Sequence, residues 1–173
     1  MKTLATSLLA LCATVIAASA QLQRPGGFAD IPWRTKLDEA KRLMAAKPGI
    51  QADIDTTASR LGFKGGTFAG KPAIVWGLEF VDGGLYRGAV VLKAFSDRPK
   101  EFDAAKSMLA QKYGQPASTS KKGKDSKAIW KFLADMKNKD AEVIVLWNNP
   151  NEGGVKITYR NESMKAGDAS DEL

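Results

Sequence analysis

The sequence predicts an α+β fold: a mainly antiparallel sheet with two helices on one face, in the order αβββ-αβββ. Three observations predict it. Several short segments alternate apolar and polar residues, the period of a strand with one buried face. Two other segments repeat their apolar residues at helical spacing. Tight Gly-, Asn- and Asp-rich turns join neighbouring strand segments, as in hairpins.

The chain opens with MKTLATSLLALCATVIAASA. Lys2 gives a positive start, Leu8 to Ala18 an apolar run short of a bilayer span, and Ala18-Ser19-Ala20 small residues for a peptidase. Residues 1–20 are therefore expected to be a signal peptide, leaving a single domain over 21–160 and a disordered acidic tail over 161–173. Leu11 before Cys12 disfavours lipidation. The terminal Ser170-Asp171-Glu172-Leu173 resembles a retrieval signal, and Asn161-Glu162-Ser163 a glycosylation acceptor. The bacterial style of the leader makes both incidental.

Residues 21–31 are rich in Gly and Pro and read as irregular. Thr35 is placed to cap a helix, with Asp38 at its third position and Leu37, Ala40, Leu43 and Met44 on one face. Pro48-Gly49 ends it. A weakly patterned strand between Ala52 and Phe63 leads to Gly65-Gly66. Ile74, Trp76, Leu78 and Phe80 then alternate on one face, Asp82-Gly83-Gly84 turns the chain, and Leu85 to Phe95 returns. A second helix starts near Asp97, with Pro99 in its first turn and Phe102, Ala105, Leu109 and Tyr113 as its stripe. Gly114 and Pro116 stop it. Residues 117–127 are Ser, Thr, Lys, Gly and Asp with little apolar content, which predicts a solvated connector. Strands follow over Ala128–Leu133, Ala141–Asn149 and Val155–Asn161. The halves 31–95 and 96–160 share element order with slight residue identity, the pattern of a structural duplication.

Composition removes much chemistry. There is no histidine, and the one cysteine, Cys12, lies in the leader. Ser-His-Asp and Cys-His nucleophiles are therefore absent, no thiolate or imidazole metal site is expected, and no cofactor is implied. Phosphate-cradling glycine loops are missing. A carboxylate pair drawn from Asp53, Asp55 and Glu79, or a Ser–Lys pair (Ser126-Lys127, or Ser107 with Lys106), keeps a hydrolase as an alternative. The first three read more simply as acids on an outer sheet face. Hard oxygens at 148–152 suit calcium weakly, with one formal charge, and a turn explains them.

The leader carries one lysine and no acid, so 25 basic and 19 acidic residues remain after it. Such an excess attracts anionic surfaces and also aids solubility. Export disfavours nucleic acid as the partner. Another envelope or secreted protein is expected, with an anionic polymer or small ligand as the alternative; no integral membrane segment follows the leader. The binding candidates are Trp33, in DIPWRT before the first helix, and Lys121, Lys122, Lys124 and Lys127 in the basic stretch. Trp33 also suits a staple between helix entrance and sheet. Trp76, Trp130 and Trp147 sit within apolar alternation and are expected in the core.

Pro32-Trp33, the Phe80-Val81-Asp82-Gly83-Gly84-Leu85 hairpin, Tyr113-Gly114-Gln115-Pro116 and Trp130 resemble, in this order, small exported bacterial proteins of largely uncharacterised function. The resemblance spans Phe28 to Arg160. It implies a periplasmic or secreted location. Related alternations of helix and sheet, such as the beta-lactamase inhibitory protein fold, are protein-binding scaffolds, an analogy of fold alone. The expected function is thus a non-enzymatic interaction module of the bacterial envelope.

Overall fold

The computed structural model describes residues 23–52, 57–94, 97–148 and 154–164. The expected leader and the residues beyond 164 lie outside these. The fold is α+β, with two helices and one large antiparallel sheet. No helix among the described residues is long and apolar enough to cross a membrane.

Two short strands, β1 (Gly27–Phe28) and β2 (Ile31–Pro32), pair as a small hairpin ahead of α1 (Leu37–Ala45). Then come β3 (Ile50–Ala52), β4 (Arg60–Gly65), β5 (Thr67–Phe68), β6 (Lys71–Val81) and β7 (Gly84–Lys93). The second half is α2 (Arg98–Tyr113), β8 (Ser118–Lys122), β9 (Asp125–Phe132), β10 (Glu142–Asn148) and β11 (Gly154–Asn161). The sheet order is β3-β4-β6-β7-β11-β10-β9-β8, with β5 paired to β6 off this path. Each half is a helix followed by an antiparallel meander, and the last strand of each meander, β7 and β11, meets the other at the sheet centre.

Local chemistry accounts for most boundaries. Asp97 caps α2 by accepting from the Lys100 amide, Pro99 lies in the first turn, and Gly114 leaves the helix at φ 82°. Asp82 and Gly83, both left-handed, close the β6–β7 hairpin. The Thr35 cap is not found. The N-cap position is Lys36, and the Thr35 hydroxyl donates to the Pro32 carbonyl instead. Ile74 also departs from the expected alternation. A register shift between Ala73 and Val75 leaves Ile74 39% exposed and gives the buried position to Ala73.

The solvated connector at 117–127 is a hairpin. Strand β8 pairs with β9 around Gly123, at φ 59°, and forms an edge of the sheet. All of β8 is exposed. A lysine-bearing edge strand is hard to read from composition because neither of its faces is buried, so it carries no alternation. Each half therefore holds more strands than the three expected. The fold also runs past 160: Asn161 ends β11 fully buried, and Met164 packs near Gly84.

Both helices lie on the same face of the sheet. Ala40 and Met44 of α1 join Phe102, Ala105, Leu109 and Tyr113 of α2 in one core with alternate residues of the strands. Two rows cross the sheet in register on this face. One is Phe63, Trp76, Val90, Ile157, Leu146 and Ala128; the other is Leu61, Leu78, Gly88, Tyr159, Ile144 and Trp130. The indoles of Trp76 and Trp130 donate to the carbonyls of Gly65 and Gly114 at 2.8 and 2.7 Å, so neither buries an unpaired N–H. Phe28 of the N-terminal hairpin lies over Gly88, against Phe68, Trp76 and Tyr159.

Candidate functional face and polar junction

With α1 and α2 on one side, no helix among the described residues covers the other side of the sheet. Its side chains fall in three rows, fixed by strand register. The first is Lys64, Val75, Val91, Lys156, Trp147 and Lys127. The second is Gly62, Gly77, Ala89, Thr158, Val145 and Ile129. The third is Arg60, Glu79, Arg87, Arg160, Val143 and Lys131. The middle row is small or apolar, and a Cβ added at Gly77 would meet nothing within 4 Å. The outer rows hold lysines and arginines. Of the three rows only Glu79 contributes an acid; just past the end of β11, Glu162 pairs with Arg160 at 2.6 Å.

Three strands repeat one device. Arg60 and Lys64 flank Gly62 on β4, Lys156 and Arg160 flank Thr158 on β11, and Lys127 and Lys131 flank Ile129 on β9. Residues four apart on a strand share a face and stand about 13 Å apart. The face is thus a shallow apolar floor between two cationic borders. Glu79 anchors one border. It accepts from the Tyr86 hydroxyl at 3.1 Å and from Arg87 at 3.2 Å, with Arg60 at 3.9 Å. Burial, then the Glu79 charge, raises the Tyr86 hydroxyl above its ordinary pKa, so it stays a neutral donor.

The expected site residues are placed as follows. Lys127 belongs to the open face, and Lys122 lies on the same side through its pairing with Asp125. Lys121, opposite Ser126, points to the other side, and Lys124 sits in the hairpin turn. Trp147 joins the open face and is half-buried, not part of the core as expected. Ser126 and Lys127 are adjacent on β9 and so face opposite sides, which rules them out as a pair. Lys106 is ion-paired with Asp103 at 3.4 Å, and Ser107 is exposed. Asp53 and Asp55 lie outside the described residues, as does most of the 148–152 turn. Lys64, Lys131, Lys156, Arg60, Arg87 and Arg160 were missed by sequence reasoning. For all but Arg87 the signal was present: RLGFK, KAIWK and KITYR each place cations four apart within strand-like alternation.

Trp33 is not a surface contact. It is 8% exposed, and its indole donates to Glu142 Oε1 at 2.5 Å. The same carboxylate accepts from the Gly26 amide at 2.8 Å and from Arg24 Nε at 3.1 Å. Arg24 also donates to the carbonyls of Leu133, Phe132 and Asp140. This junction ties the N-terminal hairpin to β9 and β10, the stapling role in place of the binding one.

Beside it, Arg34 grips both oxygens of Asp140 at 2.7 and 2.8 Å. That hydrogen bonding holds the Asp140 carboxyl below the usual carboxylate range. A lowered folded-state value means that the stabilisation is complete above the unfolded value of about 4 and vanishes as pH falls through the folded one. Arg34→Ala is expected to cost about 0.5–1 kcal/mol at neutral pH and almost nothing near pH 2, measured by urea unfolding at both. An equal cost at both ends of the range would refute the pairing.

A cleft of about 490 Å³ lies on the covered side, between the N-terminal hairpin, Phe68 and α2. Its ionisable groups include Asp30, which is exposed and bound to Lys47, and Lys112. Tyr113 and Tyr159 are among its lining residues. Burial drives the Tyr159 hydroxyl far above its ordinary pKa, so it serves as a neutral wall. The buried acid Glu142 is not among the cleft residues. Comparison with known proteins leaves the geometry to speak alone: no family model, curated protein or solved structure matches this chain.

Proposed function

We propose that the protein is an exported, non-enzymatic module of the bacterial envelope that binds another protein with the uncovered face of its sheet. The single observation behind this reading is the register: small and apolar residues form a floor between two borders of lysine and arginine, with Trp147 at one side. A face kept only for solubility needs charge but not an ordered apolar strip across six strands. Trp147 and the three arginines are side-chain types that protein contacts favour. The leader and the resemblance to exported bacterial proteins support the location. A second reading, small-ligand binding, draws on the cleft, whose volume falls in the range of ligand sites.

The test uses Gly77→Trp. A Cβ at this position meets nothing within 4 Å and the neighbours across the strands, Gly62 and Ala89, are small, so the fold is expected to tolerate the ring while the floor is blocked. Mature wild-type protein, immobilised and exposed to envelope extract, is expected to retain a polypeptide at high salt that Gly77→Trp loses. Identical retention by the two proteins would refute the reading.

A further inference from the structure

We infer that the partner presents an acidic amphipathic α-helix, laid across the strands along the floor of the open face. This rests on the reading of that face as the binding surface. The floor runs from Gly62 on β4 to Ile129 on β9, five strand spacings or about 24 Å. A helix of about 16 residues covers that length. Its diameter with side chains, about 10–12 Å, fits between borders about 13 Å apart. An apolar stripe would rest on Gly77, Ala89 and Val145, where small residues allow close approach. Carboxylates on both flanks would then meet Lys127, Lys131 and Lys156, and compete with Glu79 and Glu162 for Arg60 and Arg160.

Other occupants fit less well. A second copy would set one cationic face against another, with Glu79 the only acid of either set of rows. A flexible polyanion is matched by one cationic stripe; here two stripes are held apart by an uncharged strip. A lipid surface would be met by large exposed apolar side chains, and the floor offers glycine and alanine instead.

The mature protein is titrated with labelled peptides of about 18 residues and one composition. One is amphipathic with glutamates on both flanks, one is scrambled, and one is interrupted by proline. Polyglutamate and phosphatidylglycerol vesicles complete the set. The amphipathic peptide is expected to bind at least about tenfold tighter than both controls, to gain helical circular dichroism, and to lose about tenfold on Lys156→Glu or Gly77→Trp. If the scrambled peptide binds equally and Gly77→Trp weakens both, the helix is wrong and the face survives. If Gly77→Trp changes nothing, the face itself is wrong and the inference falls with it. Tighter binding to polyglutamate or vesicles than to the peptide overturns the helix in favour of a polymer or a lipid.

Discussion

Glu142→Ala is expected to cost about 3–5 kcal/mol, the loss seen when one partner of a buried ion pair is removed. For a domain of this size that lowers Tm by about 10 °C. The carboxylate is 3% exposed and receives three donors: the Gly26 amide, the Trp33 indole and Arg24 Nε. Alanine leaves all three without that acceptor in a place water scarcely reaches, and it leaves the guanidinium with carbonyls and the more distant Asp135 carboxylate at 3.7 Å. Glu142→Gln keeps an oxygen for Trp33 and Gly26 and loses only the charge, so about half the cost is expected. Calorimetry of the three proteins measures this. A loss under about 1 kcal/mol for alanine would show that the junction is dispensable.

Gly88→Ala is expected to cost about 3–5 kcal/mol, although it only adds a methyl group. The new Cβ would stand 2.1 Å from Cδ1 and 2.2 Å from Cγ of Phe28. The ring has little room to retreat, since Phe68, Trp76 and Tyr159 surround it with centroids 6.2, 6.0 and 5.5 Å away. Phe28 must leave the core, and the contribution of a buried aromatic is lost with it. Gly77→Ala, on the neighbouring strand but the opposite face, meets open space and is expected to be neutral or slightly stabilising. Chemical unfolding of the two variants makes the contrast. Equal effects would refute it. Because Glu142 and Gly88 both hold the N-terminal hairpin, their double variant should lose less than the sum of the single losses.

Much of the fold is legible in the chain. The stripe Phe102, Ala105, Leu109, Tyr113 is buried as its spacing predicts, between the Asp97 cap and the Gly114 stop. Trp76, Leu78 and Phe80 face the core, and Asp82-Gly83 turns the hairpin. These succeed because cap, period and turn residue are all local. The misses have physical causes as well. Thr35 stands one residue ahead of the cap position Lys36, and its hydroxyl donates to the Pro32 carbonyl of the preceding turn. Strand β8 gains its place from hydrogen bonds to β9, and those leave no mark on its composition. Ile74 was displaced by a register shift between Ala73 and Val75 in the pairing of β6 with β7.

The candidate face shows the same division. Lys127 was singled out for lying in a run of lysines, yet its neighbours on the face are Trp147 and Lys156, far along the chain. Trp33 looked available because it precedes a helix among polar residues; Glu142, more than a hundred positions later, buries it.

The sequence by itself determined the strand and helix periods, the turns between them and a chemistry without imidazole and with a single thiol, Cys12, since these depend on residues near one another or on residue types alone. Only the tertiary structure decided that Phe28 fills the gap above Gly88, that Glu142 ties down the N-terminal segment, and that three separated cation pairs border one apolar floor. Such facts depend on which strand lies beside which. Pairing is a long-range choice, made by the joint burial of both halves' apolar faces under two helices, and no window of neighbouring residues contains it.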